Sequence, residues 1–252
     1  YVYATSAILR TKLRSKRAFF GVALLGGKYN PATLRDDVEA LTTYYRGLGF
    51  FDVTVRTRVA RSDVRFTPWR LGDANLTIEY LINEGTRYTV RSIELDGNHV
   101  LPSESLAKNF ELTTGEFFNR RWLEADVREM RTQYGQLGRL FASIEPVTRF
   151  DDREPGVIDL VYEIDEDKPY IIGPINVNFR GDHPHTKESV VLNRLMFYPG
   201  DLADPRLFRL SERRLEGMIF ERGPRNGPRI RVTRMMPEEL APREIARGQN
   251  DL

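Results

Sequence analysis

The chain contains no cysteine. That removes disulfides and thiolate metal sites without assigning a compartment, because an oxidising one also suits a protein with nothing to oxidise. No apolar run approaches the ~20 residues of a membrane-spanning helix. The nearest, AFFGVALLGG at 18–27, follows Arg14, Lys16 and Arg17 as a signal-peptide core would. No small-residue cleavage pattern comes after it, and an amphipathic helix does, so it reads as a buried or partner-facing loop. Histidine is scarce: His99, His183 and His185 are the only three. The pair in Asp182-His183-Pro184-His185 would need Asp182 or a distant ligand to complete a metal site, and a polar surface loop explains it more simply. There is no Gly-x-Ser-x-Gly elbow. Leu25-Gly26-Gly27-Lys28 fails as a phosphate loop, with Val22 at the first glycine position and Tyr29 after the lysine. No cofactor, metal or catalytic set is called for, and a binding protein is expected rather than an enzyme.

What the chain does have is self-similarity. Residues 29–55 align without a gap on 118–144, placing Asn30 on Asn119, Leu34 on Leu123, Asp37 on Asp126, Tyr45 on Tyr134 and Gly49 on Gly138. Residues 75–90 align on 157–172 in the same way, placing Tyr80 on Tyr162, Glu84 on Glu166 and Tyr88 on Tyr170. A third copy begins after Tyr170. A period of about 80–90 residues exceeds a solenoid unit and matches a small domain. Three domains are therefore expected, at 1–86, 87–169 and 170–252.

The middle copy shows the plan. A strand at 90–95 runs into the turn Asp96-Gly97-Asn98, and a short helix from Pro102 to about Phe110 stops at Thr113-Thr114-Gly115. Asn119 caps a longer helix with the stripe Leu123, Val127, Met130, Tyr134 and Leu137, which ends at Gly138. Strands at 140–150 and 157–165 follow, joined by a polar turn. The expected fold class is α+β: tandem β-α-α-β-β domains, each with two helices over a three-stranded mixed sheet. Pro146 belongs on an edge, which predicts the order first–third–second strand. The first copy lacks a recognisable first strand. The third is expected to have strands at 172–179 and 229–234, helices at 186–195 and 205–219, and a polar tail, with no closing strand evident.

Charge divides unevenly. Thirteen basic against eight acidic residues give +5 for 1–86, eleven against seventeen give −6 for 87–168, and fourteen against eleven give +3 for 169–252. An acidic middle interrupts any nucleic-acid track, and aromatics such as Tyr45 and Tyr134 sit in core stripes instead of forming a stacking platform. No nucleic-acid partner is expected. The clusters Arg10, Lys12, Arg14, Lys16, Arg17 and Arg225, Arg229, Arg231, Arg234 read first as solvated surface, then as protein contacts.

The tandem unit resembles the POTRA domain of the BamA family of outer-membrane assembly factors. The resemblance rests on a Gly-Asn after strand one, a helix carrying Asp-Val and later Tyr-x-x-Leu-Gly, and a closing strand ending in Glu84-Gly85 or Glu166-Asp167. It covers about residues 5–235 and is strongest for the barrel-proximal part of such an arm. The resemblance implies a periplasmic location, a membrane β-barrel following in the same chain, and as partners unfolded outer-membrane proteins and accessory assembly lipoproteins. A two-partner secretion transporter or an organelle import channel would carry similar domains.

An exposed second strand offers unpaired N–H and C=O groups to an extended client. The candidate binding residues are Phe51, Val53, Val55, Thr57 and Val59 in the first copy, Phe141, Ile144 and Val147 in the second, and Arg229 and Arg231 in the third. The joints at 85–87 and 167–169 are short, with Pro169 expected to stiffen the second.

Overall fold

A computed structural model of the chain describes residues 4–15, 30–62, 75–179, 187–217 and 228–234. The apolar segment 18–27, His183 and His185, Arg225 and the tail from residue 235 lie outside the described residues. The chain divides into two compact units, Tyr1–Gln133 with Ala142–Asp167, and Tyr134–Phe141 with Lys168–Leu252.

In the first unit, α1 (Ser6–Lys12) precedes α2 (Pro31–Gly47) and the antiparallel pair β1 (Thr54–Ser62) and β2 (Asn75–Asn83). Helix α1 was not expected, and Arg10 and Lys12 of the first basic cluster form part of its last turn. Asn30 caps α2 by accepting the Ala32 N–H at 2.9 Å, and Pro31 occupies the first turn, where its missing N–H costs nothing. Ala4, Tyr45, Phe50 and Val53 form the core, with Leu9, Val55 and Ile82 packed around them.

The second copy matches its plan. β3 (Thr89–Asp96), α3 (Ser103–Ala107), α4 (Arg120–Gln136), β4 (Ser143–Phe150) and β5 (Val157–Asp165) follow in order. The sheet order is β3-β5-β4, with β3 parallel and β4 antiparallel to the central β5. Pro146 thus stands on an edge strand, where one side of the backbone needs no ladder bond. Ile158, Leu160, Tyr162 and Ile164 are buried at alternate positions, and Leu123, Val127 and Met130 of α4 are buried too. Each such aliphatic side chain contributes about 1.5–3 kcal/mol on burial.

In the second unit, α5 (Glu188–Leu192) and α6 (Pro205–Glu216) are present as expected, and Asp204 caps α6 by accepting the Arg206 N–H at 2.8 Å. Here two expectations fail. Residues 172–179 and 229–234 form no strands. Both need a neighbour to make a ladder, and no closing strand occurs among the described residues.

One device recurs. Asp37, fully buried on α2, accepts the Arg14 N–H at 2.6 Å, the Ser15 N–H at 3.2 Å and the Tyr80 hydroxyl at 2.9 Å. Asp126, fully buried at the matching position of α4, accepts the Glu111 N–H at 2.7 Å, the Leu112 N–H at 3.2 Å and the Tyr162 hydroxyl at 3.3 Å. Each carboxylate ties the backbone after a short helix to the last strand. On α6 the equivalent residue is Ser211, which accepts the Met196 N–H at 2.8 Å. Burial pulls both carboxyl groups upward. The Ser15 hydroxyl helps the backbone donors carry Asp37 below its ordinary value, whereas at Asp126 desolvation outweighs its three donors and raises it.

The signs give opposite pH signatures. A lowered folded pKa contributes stability above the unfolded value that is lost as pH falls, and a raised one contributes stability at low pH that is lost as pH rises. Asp37→Asn should therefore be most destabilising near neutrality. Asp126→Asn should be most destabilising in acid, with costs of about 1–3 kcal/mol where the lost bonds count fully. Urea unfolding across roughly pH 3–6 checks the opposite slopes, and parallel slopes would overturn them.

Candidate binding edges and the repeat clasp

β1 is built to be gripped. Val53 falls just before β1 and not on it, contrary to expectation, and is buried; on the strand Val55 and Thr57 are half-buried and Val59 is 39% exposed. Among the described residues β1 pairs only with β2, leaving its outer row of backbone groups without a ladder. Beside that edge lies an open groove of about 600 Å³ between strand and helix, lined by Leu34, Arg35, Val38, Glu39, Val55, Arg56 and Thr57. Its floor is apolar and its rim carries both signs of charge, which suits an extended segment of varied sequence.

Among the described residues β4 forms the second open edge. Ile144 is buried and Val147 half-buried on it. Phe51 and Phe141 are not on strands, contrary to expectation: each falls in the turn between a long helix and the strand that follows. Phe51 instead packs on Tyr88, Phe118 and Phe150, with ring centres 5.1–5.4 Å away. Phe141 packs edge-on against Tyr170 at 5.1 Å, with the Arg234 guanidinium 4.5 Å above its ring. Arg229 and Arg231 are exposed and belong to no ladder. Among the described residues no three His, Asp or Glu side chains converge as a metal site.

A second arrangement escaped sequence reasoning. Gly49 ends α2 with φ +94°, and its carbonyl accepts the Tyr88 N–H at 2.8 Å; the Tyr88 carbonyl then accepts the Phe118 N–H at 3.0 Å. Gly138 has φ +73°, its carbonyl accepts the Tyr170 N–H at 2.9 Å, and the Tyr170 carbonyl accepts the Ala203 N–H at 2.9 Å. The pattern continues alike: Val90 N–H to the Glu116 carbonyl and Ile172 N–H to the Asp201 carbonyl, at 2.9 and 2.8 Å. The glycine-tyrosine matches between copies were the available signal, but their meaning lies in contacts made across the alignment and not along it.

The surface of the second copy carries one strong ionic cluster. A register shift at Val90/Ser92 turns Arg91 out of the ladder and onto Asp159, with Asp151 at 2.9 Å and Glu154 at 3.1 Å. The Arg91 guanidinium and the Ser92 hydroxyl hold Asp159 down to about 2. This exposed network organises the β4–β5 turn.

The family model described as "Surface antigen variable number repeat", POTRA, matches residues 5–85 and 88–167. This chain belongs to the POTRA family. Its POTRA repeats are similar to outer membrane protein assembly factor BamA of Neorickettsia risticii, with 22% identity over 84% of this chain and 27% of that protein. BamA of Neisseria meningitidis serogroup B is 20% identical over 85% of this chain and 26% of its own length. The chain thus spans about a quarter of the length of these curated relatives. The crystal structure of Haemophilus influenzae BamA POTRA3-5 shares the fold, with a TM-score of 0.59 at 20% identity over 87% of this chain and 83% of that one. Among the described residues no helix is long and apolar enough to cross a membrane.

The Gly49 clasp is testable. An added Cβ would lie 3.0 Å from the Phe118 carbonyl and 3.3 Å from that of Tyr88, in a backbone conformation costing L-residues about 1–2 kcal/mol. Gly49→Ala should speed amide exchange at Tyr88 and Phe118 while the β5 amides keep their protection. Unchanged exchange at both would show that the clasp does not depend on the glycine.

Proposed function

We propose that this chain is part of the periplasmic arm of an outer-membrane β-barrel assembly factor, and that it holds extended client chains by adding them as strands to its exposed edges. The observation that carries the reading is β1: a nine-residue strand with its outer side unpaired among the described residues and an apolar groove along it. Backbone bonds along an edge give affinity that hardly depends on sequence, and the groove receives alternate side chains. Strands of outer-membrane barrels alternate in polarity, so one face suits the groove and the other suits water.

In this reading residues 1–86, 87–169 and 170–252 are three POTRA domains, the last supported by its own copy of the clasp and its equivalent helices. The partners are unfolded outer-membrane proteins, accessory assembly lipoproteins and a membrane β-barrel in the same chain. The action is binding, without enzymatic turnover or cofactor. β4 is the secondary edge, shortened as a template by Pro146, which removes one donor. Val53 and Ile144 support their edges from beneath because they are buried. Phe51 and Phe141 shape the turns before those edges.

Successive N–H groups of a strand point to opposite sides. A proline scan through Val55–Val59 should therefore split into two classes. Alternate positions should lose about tenfold or more in binding of an unfolded barrel peptide, as loss of one or two edge bonds implies, with circular dichroism unchanged. The intervening positions should open the β1–β2 pair. Client binding that survives proline at every outward position would remove β1 as the site.

A further inference from the structure

The two open edges differ in charge. On β1, Thr57 stands across from Tyr80, whose hydroxyl reaches Asp37 of α2 at 2.9 Å, so the odd positions face the helix and the even ones face solvent. Those even positions carry Arg56 and Arg58, both exposed. Directly across from them on β2 stand Leu81, 56% exposed, and Glu79. One carboxylate therefore neighbours two arginines, and it lies on the side where β1 is already paired. Among the described residues neither arginine forms an ion pair. At the groove Arg35 and Glu39 offset each other, so the net charge along this edge is set on the solvent face.

On β4 the sign is reversed. Pro146 and Thr148 stand across from the buried Tyr162 and Leu160, which puts Glu145 on the solvent face. Its cross-strand neighbour is Glu163, and Asp165 stands across from Ser143. Arg149 lies farther along, across from Asp159, which Arg91 also holds. Like charges directly opposite each other are unfavourable, so a further carboxylate beside Glu145 would add to a repulsion already present. An open outer side belongs to the repeat plan itself. In the second repeat, with all three strands in place, β4 bonds among the described residues only to β5, and β1 holds the same place in the first.

From this we propose that β1 selects the strand it takes by charge: an extended segment with aliphatic side chains toward the groove and carboxylates on the solvent side, beside Arg56 and Arg58. This selectivity rests on the reading of β1 as a binding edge and adds the class of segment that it takes. Arg56 and Arg58 are its specificity-determining residues, since each attracts a carboxylate placed directly beside it and repels a cation there. Rejection contributes as well as attraction. Glu145 turns the same segment away from β4, so the two edges do not compete for it.

The test uses the whole 252-residue chain and three peptides of nine residues, the length of β1. The first has valine at even positions and glutamate at odd ones. The second has lysine in place of glutamate, and the third has the first peptide's composition with its glutamates in one block. The first should slow amide exchange across 54–62 by about tenfold or more, as new ladder bonds do, and leave 143–150 unprotected. It should bind at least about fivefold more tightly than the second, because opposite-charge pairs replace like-charge ones at two positions. Arg56→Glu combined with Arg58→Glu should reverse that order, and the fold tolerates the change because both side chains are exposed. At about 1 M salt the first two peptides should bind alike, exposed charges then being screened. Equal binding of those two at low salt, with 54–62 protected, would overturn the charge selection and leave β1 standing as a binding edge. So would an order of affinity that the double variant does not change. Equally tight binding of the block peptide would mean attraction without strand pairing and would overturn the selection too. Protection of 54–62 by none of the three would remove β1 as a binding edge, and the selectivity with it.

Discussion

The structure hangs on a buried carboxylate. Asp37 and Asp126 each collect two backbone N–H groups from the end of a short helix and a hydroxyl from the last strand, so one side chain secures three elements at once. Such a group is costly to bury and is stable only when its donors are in place. That makes the arrangement selective: the helix, the turn and the strand must all adopt the right geometry, or the carboxylate is left unpaired. Packing of the apolar stripes supplies more energy, but many registers would satisfy a stripe and few satisfy this network.

With the first two repeats held in this way, the glycine-tyrosine clasp becomes consequential. Gly49 presents its carbonyl to Tyr88, and Tyr88 passes its own to Phe118, so the backbone leaving one helix is bonded to the start of the next repeat. The edge strand β1 begins a few residues after that glycine. The same turn that makes the clasp therefore aims the strand, and Phe51, packed on Tyr88, Phe118 and Phe150, keeps the turn in place. Binding edge and joint are two outputs of one piece of backbone.

Much of this was legible because the repeat allows one part of the sequence to be read against another. Residues shared by the copies fall into two groups. Leu34 with Leu123 and Val38 with Val127 belong to the helix stripes, whose period is visible in any single copy. Asp37 with Asp126 and Gly49 with Gly138 have no periodic reason to recur, and they mark the carboxylate network and the clasp. Phe51 and Phe141 were misplaced onto strands because an aromatic residue after a helix-ending glycine favours extended structure locally, while the turn that actually holds it is set by distant partners.

The sequence by itself determined the α+β class, the repeat length, the helix cap at Asn119, the strand order of the middle repeat and the edge position of Pro146. All of these follow from local propensity, spacing or the chemistry of a single residue. Only the tertiary structure decided which backbone groups the shared aspartates receive, where the tyrosines pass their bonds, and whether 172–179 and 228–234 count as strands. A strand is a relation between neighbours, and a carboxylate's partners come from parts of the chain that no local pattern brings together.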